Sequence, residues 1–200
     1  MGHRTLGLIL AGLITGAAIA ALTLAPALHQ VTDATVTGKA LVGGPFTLTD
    51  HTGKRVSDKD FHGKTLLVFF GFTNCPDICP SGLQVIGAAL DKLGPKADGI
   101  VPLFITFDAA RDTPERLATY LRSFNSRIIG LSGSAEDLAA VAKSYRVYVQ
   151  KVSDEKTPSA YSYDHTAIFY IMGKDGAFVS HVPHSNDVNE LTAALEKALS

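Results

Sequence analysis

The uninterrupted apolar run from Thr65 to Gly71, TLLVFFG, limits what this chain can fold into more than any other segment. Seven such residues in a row suit a buried strand, and most of Ile100 to Phe107 reads the same way. Helix-period segments alternate with these strands. Leu83, Ile86, Leu90 and Leu93 share one face, as do Leu117, Tyr120, Leu121 and Phe124. Leu138, Val141, Ala142 and Tyr145 form a third face, and Val188, Leu191, Leu195 and Leu199 a fourth. Asp112-Thr113-Pro114-Glu115 and Ser134-Ala135-Glu136-Asp137 mark helix starts, each a cap residue followed by an acidic first turn. Ala167 to Met172 and Ala177 to His181 read as a hairpin around the turn Gly173-Lys174-Asp175-Gly176. The order β-α-β-α-(β)-α-β-β-α predicts an α/β fold with a thioredoxin-like central sheet flanked by helices. No repeat of 20 to 50 residues is visible, so solenoids and propellers drop out.

The first thirty residues are a different material. From Thr5 to Thr32 there is no Asp, Glu, Lys or Arg, and Leu6 to Leu28 is dominated by Leu, Ile and Ala. As a helix this stretch would reach roughly 34 Å, enough to cross a hydrocarbon core of about 30 Å. Residues 6–28 are therefore expected to be a transmembrane anchor, with 1–5 in the cytoplasm, 29–45 as a small, polar, Gly-rich linker and 46–200 as the folded body. Ala18-Ile19-Ala20 and Ala25-Pro26-Ala27 leave removal as a signal peptide open. Arg4 holds the amino terminus inside by the positive-inside tendency, and five residues before the span are too few for a transit peptide. The expected setting is a single pass through a bacterial inner membrane, with the body in the periplasm.

Eighteen basic and 19 acidic side chains give a formal net charge of −1, without the electrostatic footprint of a nucleic-acid binder. Apolar residues make up 46% of the chain against 18% charged, which excludes disorder and leaves enough chain for one well-buried core. Two cysteines are too few for a disulfide scaffold, so their spacing decides what they do.

Cys75-Pro76-Asp77-Ile78-Cys79-Pro80 joins the first apolar strand to the first long helix. Pro80 lets that helix begin only within about a turn before it, which puts both sulfurs near a helix amino terminus. Unpaired N–H groups and the helix dipole there favour the thiolate. A plain structural disulfide is the bland alternative, but closing so small a loop constrains the unfolded chain little. The C-x-x-x-C spacing also differs from the C-x-x-C of thioredoxin-type oxidoreductases. Two soft thiolates suit Cu(I), and a neutral imidazole would complete a three-coordinate site that also tolerates Cu(II). His165, in Tyr163-Asp164-His165-Thr166 at the entrance of the Ala167–Met172 strand, is the expected third donor. His181-Val182-Pro183-His184 reads as an exposed loop, and His29, His51 and His62 do not cluster. Beyond the initiator only Met172 is present, which excludes methionine-rich copper binding.

These residues resemble the Sco/SenC family, copper-handling proteins of thioredoxin-like fold that assist assembly of the dinuclear copper site of cytochrome c oxidase. The resemblance runs from Gly44-Pro45-Phe46-Thr47-Leu48, Asp50, Gly53-Lys54, Phe61 and Gly63-Lys64 through GFTNCPDICP at 71–80. It continues in Asp108, Arg111-Asp112-Thr113-Pro114, GLSGSAEDLAAVAKSYRVY at 130–148 and Asp164-His165-Thr166. It implies Cys75, Cys79 and His165 as ligands for one copper, Cu(I) and in some states Cu(II), with Asp108, Asn74 and Asp77 as neighbours of the site. For Asp108, capping the adjacent turn is an equal alternative. Two positions depart from the pattern: Asn74 stands where the family often has His, and Ala109 where Pro is common. The chief expectation is a membrane-tethered copper chaperone, more carrier than enzyme. Its partner would be the copper-receiving subunit of cytochrome c oxidase or another periplasmic copper protein. The rivals are a thiol-disulfide oxidoreductase that reduces the target's cysteines through Cys75 and Cys79, and a peroxiredoxin-like peroxidase using Arg111.

Overall fold

The computed structural model describes residues 41–154 and 157–200, with backbone alone at 154 and 157–160. In chain order the elements are β1 (Thr47–Asp50), β2 (Arg55–Ser57), β3 (Thr65–Gly71), α1 (Ile78–Leu93), β4 (Ile100–Thr106), α2 (Pro114–Leu121) and β5 (Ile129–Ser132). They continue as α3 (Ala135–Ser144), β6 (Val149–Asp154), β7 (Thr157–His165), β8 (Ile168–Met172), β9 (Phe178–Pro183) and α4 (Val188–Leu199). Seven strands form one sheet in the order β2-β1-β5-β4-β3-β8-β9, while β6 and β7 pair separately. β3 and β4 run parallel from Thr65↔Ile100 to Gly71↔Thr106, and β8 flanks β3 antiparallel.

TLLVFFG is buried along its whole length, as its composition requires. Strand alternation sends Leu67 and Phe69 to one face and Leu66, Val68 and Phe70 to the other. On the first face they meet Leu83 and Ile86 of α1, Leu117 of α2, and Leu191 and Leu195 of α4. On the second they meet Leu138 and Val141 of α3. Thr113, Ser134 and Asp187 cap α2, α3 and α4 through side-chain oxygens, the first two as the sequence predicts.

Three expectations need correction. Short β1 and β2, each with a single buried side chain, Leu48 and Val56, were not anticipated. The β6–β7 hairpin was missed as well, and His165 is the last residue of β7 rather than part of a loop leading into β8. The chain also engages the body before Phe46: Val42 packs on the second core cluster and the Gly43 N–H donates to the Ser144 carbonyl at 3.0 Å. Among the described residues no helix is long and apolar enough to cross a membrane. The charge-free segment 6–28 lies outside those residues.

Candidate metal centre

β3 delivers the chain to the cysteine turn. Phe72 is buried beyond the end of the strand, and the Cys75 N–H returns to the Phe72 carbonyl at 3.2 Å. Asp77 occupies the amino-terminal cap of α1 without capping through its side chain. The Cys79 N–H, one of the unsatisfied amides of the first turn, instead donates to Cys75 Sγ at 3.4 Å. A sulfur thus stands where an oxygen cap would, at the positive end of the helix dipole. Cys79 is buried, Cys75 is half-buried, and the two are not joined by a disulfide. Gly71 makes this approach feasible, because a Cβ there would lie 2.6 Å from Cys79 Sγ.

His165 comes from the opposite side, on β7. Its Nε2 lies 3.9 Å from Cys79 Sγ, and its Nδ1 lies 3.0 Å from the Thr166 carbonyl oxygen. A carbonyl only accepts, so Nδ1 carries the proton and the Nε2 lone pair faces the sulfurs. The three donor atoms lie within 4.8 Å of one another. Phe72 and Phe107 fix the imidazole plane, with ring centroids 6.1 and 4.9 Å from it, and Tyr163 packs on both phenyl rings. A cleft of about 320 Å³ opens over Cys75 and His165 between Pro76, Ile78 and Tyr163.

The sulfurs divide one charge between them. The hydrogen bond from the Cys79 side chain is the largest influence bringing the Cys75 thiol down to about 4; the backbone N–H groups of Cys79 and Asp77 add to it against partial burial. The same bond, with burial and the nearby Cys75 charge, pushes the Cys79 thiol up. Cys75 is therefore a thiolate in neutral solution and Cys79 a thiol, whose proton a soft metal ion would displace.

The other expected neighbours lie at different remove. Asp77 lines the cleft, and Asn74 is exposed, outside the cleft lining. Asp108 is fully buried but does not join the three donors: Arg111 and the Tyr161 hydroxyl, the latter at 2.8 Å, occupy its carboxylate. His184, expected in an exposed loop, is half-buried. It stacks on Phe69 and lies 3.2 Å from Ser81 Oγ. Gly82 lies beneath this stack, where a Cβ would stand 2.6 Å from Phe69 Cε1 and 3.2 Å from His184 Cδ2. Sequence reasoning also missed Tyr161 and Tyr163. Their signal was the spacing Tyr161, Tyr163, His165, a period-2 stripe on β7.

The SCO1/SenC family model matches residues 34–200. The chain belongs to the SCO1/SenC family. Its relatives include the mitochondrial SCO1 homolog 1 of Arabidopsis thaliana, 42% identical over 81% of this chain and 48% of that protein. The mitochondrial SCO1 homolog of Homo sapiens is 40% identical over 79% of this chain and 53% of its own length. This SCO1/SenC chain thus spans about half the length of those curated relatives. Among solved structures, copper-bound ScoI of Bradyrhizobium japonicum superposes with a TM-score of 0.72 at 44% identity, covering 78% of this chain and 99% of that one. Copper-bound ScoI of Arabidopsis thaliana gives 0.73 at 40% identity, covering 79% and 98%. The family, the α/β sheet flanked by helices and the copper-binding character of the relatives agree with the sequence reading. The relatives' mitochondrial names differ from the expected bacterial setting.

Proposed function

We propose that this SCO1/SenC chain is a copper carrier for the assembly of cytochrome c oxidase. The Cys75 and Cys79 thiolates and the His165 imidazole take up one copper ion as cargo. They release it by ligand exchange to the copper-receiving oxidase subunit or to another copper protein of the same compartment. The observation that carries this reading is the convergence of two sulfurs and an imidazole nitrogen within 4.8 Å, with the imidazole proton committed to the Thr166 carbonyl. Two soft donors and one borderline donor are the chemistry Cu(I) selects, and none of the three is the carboxylate that harder ions prefer. The charge-free segment 6–28 supports tethering to a membrane, with the body on the far side from Arg4, the periplasm in a bacterial cell.

A thiol-disulfide oxidoreductase is the second reading. The favouring observation is the pairing of a stabilised Cys75 thiolate facing the cleft with a buried, protonated Cys79, the arrangement of an attacking and a resolving thiol. The peroxidase reading loses its arginine, since Arg111 is engaged by Asp108 and the Tyr161 carbonyl.

Anaerobic Cu(I) titration of the reduced protein beside His165→Ala separates the two main readings. A carrier shows one tight copper in the wild type and a weaker, sulfur-only site in the variant. A reductase keeps its rate of target-disulfide reduction in His165→Ala. Absence of stoichiometric Cu(I) uptake by the wild type would sink the carrier reading.

A further inference from the structure

Resting on the copper reading above, we propose that the β4–α2 loop, from Phe107 to Thr113, is a two-armed bracket that sets the sulfur-to-imidazole distance. Asp112 holds the cysteine turn, and Asp108 with Arg111 holds the hairpin that carries His165.

The loop is itself fixed. Asp108 and Asp112 are both fully buried. Thr106 Oγ1 donates to Asp112 Oδ2 at 2.6 Å and accepts from the Asp108 N–H at 3.0 Å, while Ser132 Oγ donates to the Asp112 carbonyl at 2.5 Å. The Arg111 and Asp112 N–H groups donate to the Asp108 carbonyl at 3.2 and 2.9 Å.

The first arm ends two residues before Cys75. Asp112 accepts the Thr73 N–H at 2.9 Å and the Thr73 hydroxyl at 2.6 Å, and Arg116 Nε donates to that hydroxyl oxygen at 2.7 Å. The second arm ends four residues before His165. Asp108 Oδ1 accepts the Tyr161 hydroxyl at 2.8 Å, Oδ2 takes Arg111 Nε, and Arg111 Nη1 donates to the Tyr161 carbonyl at 3.0 Å. The Arg111 guanidinium also stacks 3.6 Å from the Tyr161 ring centroid, a distance matched by the Lys151 ammonium.

This second arm matters because β7 pairs with β6 and not with the seven-stranded sheet. Tyr161, Tyr163 and His165 project from the same face of β7, so fixing Tyr161 fixes the direction of the imidazole. Donors that lie 86 residues apart in sequence are thus referred to one rigid loop. Tyr161, Arg111 and Thr73 are positioning residues: none is a donor to the metal.

The test uses the full-length chain in detergent, reduced and given one equivalent of Cu(I). Tyr161→Phe removes one hydroxyl and keeps the stacked ring; Thr73→Val removes the other hydroxyl and keeps the N–H bond to Asp112. X-ray absorption reads imidazole against sulfur scatterers, chelator competition reads affinity, and metal-free samples give the Cys75 alkylation rate and the thermal midpoint. Tyr161→Phe should lose imidazole scattering, keep sulfur scattering and the alkylation rate, and bind Cu(I) about tenfold more weakly, the effect of one charge-assisted hydrogen bond. Arg111→Lys should do the same, because lysine cannot reproduce the fork that reaches both Asp108 and the Tyr161 carbonyl. Thr73→Val should change the Cys75 alkylation rate and leave imidazole scattering in place, with Thr73→Ser restoring the wild-type rate. Wild-type affinity and scattering in Tyr161→Phe overturns the bracket. So does an equal loss of sulfur and imidazole in both variants that tracks the thermal midpoint. Absence of copper–sulfur scattering in the wild type overturns the copper reading itself, and the bracket's role with it.

Discussion

Gly71→Ala tests whether the packing beneath the sulfurs, and not only their spacing in sequence, makes the site. The added methyl would lie 2.6 Å from Cys79 Sγ and 2.7 Å from Phe104 Cε2. Non-bonded heavy atoms settle near 3.5–4.0 Å, so each neighbour must give by about 1 Å. Neither has room, since Cys79 and Phe104 are fully buried. The backbone cannot retreat either, because Gly71 pairs with Thr106 in the ladder and its carbonyl accepts the Phe107 N–H at 3.1 Å. Overpacking of this kind costs about 1–3 kcal/mol. For a body of this size about 2 kcal/mol is a fall in thermal midpoint of about 4–8 °C. A shift of about 1 Å in Cys79 Sγ is large beside its 3.9 Å separation from His165 Nε2. Copper affinity should therefore fall at least about tenfold, equal to about 1.4 kcal/mol of binding. Urea unfolding of the reduced metal-free protein gives the first quantity, and Cu(I) competition against a chromophoric chelator the second. Unchanged stability together with unchanged affinity would refute the argument, because it would mean that the space under Cys79 is not what places the sulfur.

Reduced, metal-free protein should gain stability as pH rises from about 4 toward 9.0, the usual thiol value. The sign follows from the lowered Cys75 value: the unfolded chain holds a proton that the folded chain has lost, and the gain disappears as pH falls through the folded value. Above the usual thiol value the raised Cys79 thiol works in the opposite direction, so stability should pass through a maximum; denaturant melts across pH with Cys75→Ala as reference check this. At the amino-terminal side, a chain beginning at residue 33 should fold and take up copper. One beginning at Phe46 forfeits the Val42 packing, the Gly43–Ser144 bond and the Arg146 contact to the Leu41 carbonyl, and should be about 1–2 kcal/mol less stable by urea unfolding. Equal stability of the two would show that residues 41–45 only connect.

What was legible from the sequence was what hydrophobic burial dictates. TLLVFFG and the Ile100 run had to be central strands, the β8–β9 hairpin declared itself by its turn, and the caps of α2 and α3 carried their own chemistry. The Cys75–Cys79–His165 grouping could be proposed from the sequence because the chain has only two cysteines, close together at a strand-to-helix turn, and His165 stands out among seven histidines by its place at a strand entrance. The hairpin of β6 and β7 was not, because it lies outside the main sheet and its described side chains are at most partly buried, Val149 and Tyr163 resting against the edges of the two core clusters. Val152, on that hairpin, is even 44% exposed. Asp108 was placed near the site, but its partners were not foreseen, since a buried carboxylate's hydrogen bonds depend on tertiary approach across 53 residues of sequence. The burial of His184 was not foreseen for a similar reason: its contact to Ser81 Oγ spans 103 residues of sequence, and its ring stacks on Phe69 of β3.

The three donors differ in how firmly the fold holds them, and this grading bears on which function the site suits. Cys79 is packed into the first core cluster, against the end of β3. Cys75 is half-buried and faces the cleft, and His165 stands at the end of a hairpin outside the main sheet. In the proposed carrier an incoming thiolate would displace the imidazole or Cys75 through the cleft before the buried sulfur lets go, so the ion would change hands without release to water. Disulfide reduction needs no such order and no imidazole: Cys75 attacks, Cys79 resolves, and His165 serves at most as a nearby hydrogen-bond partner. The same residue is thus indispensable to one chemistry and dispensable to the other. Oxidase assembly in cells carrying His165→Ala at limiting copper should therefore fail as completely as in Cys75→Ala, and normal assembly in the histidine variant alone would favour the reductase.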